Sequence, residues 1–114
     1  MNDITKLQSM FQALADANRL KIILLLGDRE CSVTEIVNET GLSQPLVSHH
    51  LKMLRNIQLL SSQRQGPIVY HKLKNEKILE ALNHFREIAS LLDSENTGQR
   101  QEHSAPWWRT KRQR

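Results

Sequence analysis

Two short amphipathic segments meet at Thr40-Gly41-Leu42-Ser43, and that junction leaves the chain few folds to choose from. On its N-terminal side Ser32 stands where a helix cap is wanted, and Glu35 three residues on completes a capping box. Val33, Ile36 and Val37 supply the apolar positions, and Gly41 can take the left-handed conformation that ends a helix. On the C-terminal side Ser43 caps a second helix with Pro45 in its first turn, where a missing N–H costs nothing. In that helix Val47, His50, Leu51 and Leu54 recur at i, i+3, i+4 and i+7. Two short helices joined by so tight a turn have the layout of a helix-turn-helix.

The flanking segments complete the pattern. Ile4, Leu7, Met10 or Phe11, and Leu14 mark one face of a first helix, and Asp16 caps a second through Leu26, stopped near Gly27. From Leu59 the period changes: residues 59–64 and 68–73 read as two strands around Gln65-Gly66-Pro67. A last helix starts near Asn75 and spaces Ile78, Leu82, Phe85, Ala89 and Leu92 as a heptad seam. Such a seam suits a core-packing helix; in so small a chain it fits better against a second subunit. The expected fold is mostly α with a small β-hairpin, a winged helix-turn-helix in the order of four helices, two strands and a fifth helix. Residues 1–92 form the domain, and residues 93–114 are expected to be a polar, basic, disordered tail.

With 114 residues, 39% hydrophobic and 25% charged, the chain has room for one modest core. No apolar run approaches the roughly 20 residues that span a bilayer. The first residues lack the layout of a signal peptide, so a cytoplasmic protein is expected. The single cysteine, Cys31, excludes an internal disulfide and a Cys-pair zinc site. Neither a glycine-rich phosphate loop nor a recognisable triad or dyad is present, so no enzyme is expected. The net charge of +4 is unevenly spread. Residues 1–40 carry four Lys/Arg against six Asp/Glu, whereas residues 41–77 carry six against Glu76 alone. A basic middle third is what a phosphate-binding face needs, although charge alone fits a solvated surface equally well.

The polar side of the second junction helix is more specific. Gln44, Pro45, Ser48, His49 and Lys52 lie away from its apolar stripe, short-chained and without an acid. That surface suits base edges in a major groove: Gln44 can pair bidentately with adenine, and Ser48 and His49 can donate or accept. Ser43 and the helix's first amides can hold a phosphate. The hairpin tip, Arg64, Gln65 and Gly66, can lay a cation along the neighbouring minor groove or backbone. His50 falls on the apolar stripe and is assigned to packing. The competing reading is a protein-interaction module on the same fold, which would be expected to carry acids or large apolar residues on this face.

The runs Leu14-Ala15-Asp16-Ala17-Asn18-Arg19-Leu20-Lys21-Ile22 and Gly41-Leu42-Ser43-Gln44-Pro45-Leu46-Val47-Ser48-His49-His50-Leu51-Lys52-Met53-Leu54-Arg55 carry a family resemblance. With Arg64-Gln65-Gly66 and Val69-Tyr70-His71-Lys72-Leu73, they resemble the ArsR/SmtB winged helix-turn-helix regulators over residues 1 to about 92. The resemblance implies a homodimer through the first and fifth helices, with Ile4, Leu7, Phe11, Ile78, Leu82, Phe85, Ala89 and Leu92 at its interface. It also implies an imperfectly palindromic double-stranded DNA operator and repression relieved by an inducer.

Departures from the family bear on what is sensed. The Cys-x-Cys positions of metal-sensing members are Ser32 and Thr34 here, and the zinc-ligand positions are Asn75, Lys77, Ile88 and Leu91. His84-x-x-Glu87 is out of register by a helical turn, so no metal or other cofactor is expected. Gln58 replaces the usual glycine after the recognition helix, a costly choice if φ is positive there. Cys31, beside a helix N-terminus, is a candidate redox residue, although a small, partly buried apolar role fits it better. A small organic inducer, or control by abundance or a protein partner, are the other options. The tail Pro106-Trp107-Trp108-Arg109 to Arg114 leaves three readings open: added DNA affinity, contact with an anionic membrane, or no role. No membrane partner is expected.

Overall fold

Each of the first four helices starts at a side chain able to accept the orphan N–H groups of a first turn. The structure, a computed structural model, describes residues 2–95. Asn2 caps α1 (Asp3–Leu14) and Asp16 caps α2 (Ala17–Leu26), accepting from the amides of Thr5 and Arg19 at 2.7 and 3.0 Å. Ser32 caps α3 (Val33–Thr40) in a closed capping box: its hydroxyl accepts from the Glu35 amide, and Glu35 accepts from the Ser32 amide at 2.8 Å. Ser43 caps α4 (Gln44–Asn56), with Pro45 in the first turn. Between α3 and α4, Gly41 sits at φ 78°, ψ 3°, left-handed as its position requires.

One strand was not legible in advance. β1 (Cys31–Ser32) pairs antiparallel with β3 (Ile68–Leu73), which pairs with β2 (Leu60–Gln65), giving the sheet order β1-β3-β2. Two residues carry no readable alternation, and Ser32 serves both as strand residue and as helix cap. The hairpin turns on Gly66-Pro67. Gly66 takes φ 66°, and proline's fixed negative φ at the second position makes this the II′ geometry that suits strand twist.

The chain divides at Glu80, inside α5 (Glu76–Glu95). In the first unit the core comes from Ile22, Ile23 and Leu26 of α2, Ile36 of α3, Val47, Leu51 and Leu54 of α4, and Leu59, Leu60 and Leu73 around the sheet. Side chains of this kind stabilise by about 1.5–3 kcal/mol each when fully buried. Among the described residues of the second unit, α5 continues through Asp93 to Glu95; residues 96–114, and with them most of the expected tail, lie outside the described residues. No helix among the described residues is long and apolar enough to cross a membrane.

After α4 the chain turns through Gln58 at φ 69°, held by Gln58 N–H to the Arg55 carbonyl and Leu59 N–H to the Leu54 carbonyl. The positive φ makes glutamine the costly residue there, on the order of 1 kcal/mol. Lys74 donates a side-chain hydrogen bond to Gln58, an exposed contact worth little. Gln58→Gly is therefore expected to raise the melting temperature by a few degrees in a thermal melt. An unchanged or lower value would mean that the Lys74 contact, or the unfolded-state entropy of glycine, offsets the strain.

Candidate nucleic-acid interface

The helix-turn-helix pairs α3 with α4 across Gly41-Leu42-Ser43, and α2 packs against both. Burying Val47, His50, Leu51 and Leu54 fixes the rotation of α4 and turns Gln44, Pro45, Ser48, His49 and Lys52 outward. All five are exposed, as are Ser43, Arg64, Gln65 and Gly66. Arg64 pairs in register with Val69, one rung before the Gly66-Pro67 turn, so the cation rides on hydrogen-bonded backbone close to the tip. Between Glu39 and Glu76 the sequence has no acid at all, so the face that α4 and the hairpin present carries only positive formal charge. The Ser43 hydroxyl accepts from the Leu46 amide at 3.3 Å. Ser48 stands on the side of α4 that faces the hairpin, sharing a hollow with Leu51, Arg55 and Ser62.

His50 is 4% exposed, in the core as its place in the stripe implied, but it is also a polar joint. Arg19 of α2 donates from Nε to His50 Nδ1 at 3.2 Å and from Nη1 to the Ala13 carbonyl at 3.1 Å. One guanidinium thus ties α4 to the end of α1. Because Nδ1 is the acceptor, the ring's proton sits on Nε2, 4.0 Å from Asp16 Oδ1 and without a hydrogen-bond partner. Burial holds the His50 pKa below its usual 6.5, with the Arg19 charge and His49 acting in the same direction against Asp16. This joint spans 31 residues of sequence, beyond the reach of periodicity or motif spacing.

His71 was also missed. It lies on the inward face of β3, in step with Leu73, and is buried. Burial, then Arg55, lowers its pKa. The alternation of 69, 71 and 73 was a sufficient signal that a histidine sits at an inward position.

Burial bears on two of the expected site assignments. Cys31, across the sheet from His71, is 1% exposed, and burial pushes its thiol pKa up, reinforced by Glu35 and Glu39 and opposed by Arg29. A buried thiol held protonated is a poor nucleophile, so the redox role has no support. Leu82 is buried and Ile78 is half-buried. Of the expected interface residues, Ile4, Leu7, Phe11, Phe85, Ala89 and Leu92 are exposed, and Ile88 and Leu91 join them on α5. His84 and Glu87 form an exposed i, i+3 pair at 3.6 Å.

Residues 16–62, from the α2 cap into β2, match the family model described as bacterial regulatory protein, arsR family. The cadmium resistance transcriptional regulatory protein CadC of Listeria innocua is 36% identical over 81 residues, 70% of this chain and 68% of that protein. The chain belongs to the arsR family of bacterial regulatory proteins. The transcriptional regulator KmtR of Mycobacterium tuberculosis is 34% identical over 89 residues, 78% of this chain. The match takes in 65% of KmtR, a little under two thirds of its length. In fold, this regulator resembles the homodimeric winged helix-turn-helix DNA-binding domain Mb0332 of Mycobacterium bovis, with TM-score 0.73 at 22% identity over 85% of this chain and 93% of that one. Relatives of this family are transcriptional regulators, and this chain has the winged helix-turn-helix fold.

Proposed function

We propose that this regulator binds an imperfectly palindromic DNA operator as a homodimer in the cytoplasm and represses transcription there until an inducer releases it. The reading rests above all on the exposed, acid-free surface of Gln44, Pro45, Ser48, His49 and Lys52 beside Arg64. Gln44 and Ser48 read base edges, Ser43 and Lys52 meet phosphates, and the hairpin tip follows the adjacent groove. For the dimer, Ile4 and Leu7 on α1, and separately Ile88 and Leu91 on α5, expose apolar side chains for a second copy to cover. Mb0332 is described as homodimeric, which supports the same arrangement here.

Metal sensing of the family kind is not part of this reading. At the thiolate positions the Ser32 hydroxyl is committed to the Glu35 amide, and Thr34 offers no sulfur. Ile88 and Leu91 put exposed hydrocarbon where zinc would need imidazole or carboxylate.

Selection of binding sites from random duplex DNA at physiological salt tests the proposal. A palindrome with half-sites about one helical turn apart is expected to be enriched. On that site Gln44→Ala is expected to lose about 1–3 kcal/mol while non-specific binding is nearly unchanged. Equal losses on both would remove Gln44 as a reader, and no enrichment by folded dimer would favour the interaction module.

A further inference from the structure

The hollow between α4 and the hairpin has a volume of about 350 Å³, within the size range of small-molecule sites. Two of its polar groups stand out. Arg55, half-buried on α4, has no carboxylate within 4.0 Å among the described residues. His71, 3% exposed, also lines the hollow, and its Nδ1 has no hydrogen-bond partner. Buried polar atoms are normally bonded, so an orphan beside a guanidinium with no carboxylate marks a place that a ligand's polar group would satisfy. The two groups already sense each other: Arg55 disfavours a second positive charge on His71. An anion reverses that repulsion, because it is attracted by the guanidinium and can accept from either group. Ser48 and Ser62 add a hydroxyl from each side, while Val33, Leu51 and Val69 supply apolar wall that an inorganic ion would leave uncovered.

We propose that this hollow binds a small organic acid, its carboxylate between Arg55 and His71 and its short apolar body against Val33, Leu51 and Val69. A backbone phosphate of DNA shares the oxyanion chemistry. It brings no apolar body, however, and would leave Val33, Leu51 and Val69 uncovered. Ser48 belongs both to the hollow and to the base-reading surface, so an occupied hollow competes with DNA. That consequence rests on the proposed function, whereas the binding itself does not.

The experiment uses the full-length protein, labelled with nitrogen-15, and three probes: benzoate, its neutral isostere benzamide, and inorganic phosphate. Benzoate is expected to shift the His71 ring and Arg55 Nε resonances saturably and to bind about tenfold more tightly than benzamide, the value of one charge-assisted contact. Arg55→Gln is expected to lose that preference, and Arg55→Lys to keep part of it. Equal binding of benzoate and benzamide overturns the proposal, as does a preference that survives Arg55→Gln. Phosphate binding without benzoate binding overturns the organic-acid assignment in favour of a phosphate site. In DNA titrations benzoate is expected to release the wild type and not Arg55→Gln. Arg55-dependent benzoate binding by a protein that selects no DNA site would uphold the hollow and sink the DNA reading instead.

Discussion

Leu7→Glu is expected to yield a folded monomer that no longer holds the operator. Leu7 is 50% exposed on α1 and Ile4, one turn earlier, is 73% exposed, so within one chain a glutamate at position 7 keeps its water. In the proposed dimer the same carboxylate is sealed against a second copy with no cation assigned to it. An uncompensated buried charge costs about 3–5 kcal/mol, which is roughly two to three and a half decades in the dimer dissociation constant. A monomer carries one recognition helix and reads one half-site, so specific affinity falls with the dimer. Sedimentation velocity across a concentration series measures the first effect, and titration of a selected site the second. Circular dichroism and the melting curve of the isolated mutant show whether the fold survived. A mutant that remains dimeric at wild-type concentrations would place the interface away from α1. One that unfolds outright would show that Leu7 is needed within the single chain.

How much of this was legible beforehand follows from how far each interaction reaches along the chain. Caps and turns act over three or four residues, and there the side chains at Asp16, Ser32, Glu35, Gly41 and Ser43 named their own roles. The stripe Val47-His50-Leu51-Leu54 fixed the rotation of α4, and with it the identity of the outward residues. Gln58 was suspect because the family resemblance puts a glycine there, and it does take a positive φ of 69°. What escaped was long-range or too short to carry a period. β1 exists only because β3 returns beside Cys31 and Ser32. The Arg19–His50 joint, and the meeting of Arg55 with His71, depend on packing between elements that no spacing rule connects. Heptad spacing likewise gave Leu82 and Phe85 one role, whereas Leu82 is buried and Phe85 is half-exposed. Periodicity reports which residues share a face; it does not say what covers each stretch of it.

The Arg19 joint carries the other large effect. Arg19→Met keeps most of the aliphatic stem but removes both guanidinium bonds, leaving His50 Nδ1 and the Ala13 carbonyl without their donor. Hydrogen bonds from a charged donor are worth about 1.5–3 kcal/mol, so the melting temperature is expected to fall by on the order of 10 °C. Amide exchange in α4 should quicken more than in β2 and β3, because the lost bond anchors the recognition helix. Acid gives a second, independent readout. Burial and the Arg19 charge keep the folded-state pKa of His50 below 6.5, and burial with Arg55 does the same for His71. The unfolded chain therefore takes up protons first as pH falls. Stability is full above pH 6.5 and is lost below it, down towards the folded pKa values, at up to about 1.4 kcal/mol per pH unit for each histidine. In Arg19→Met the charge that opposed protonation is gone, Nδ1 is free, and Asp16 remains 4.0 Å from Nε2. The mutant should thus be less stable at pH 7.5 and yet lose less on going to pH 5.5. Parallel stability curves for the two proteins would show that Arg19 does not govern the charge state of His50, and an unchanged melting temperature would show that α4 is held without it.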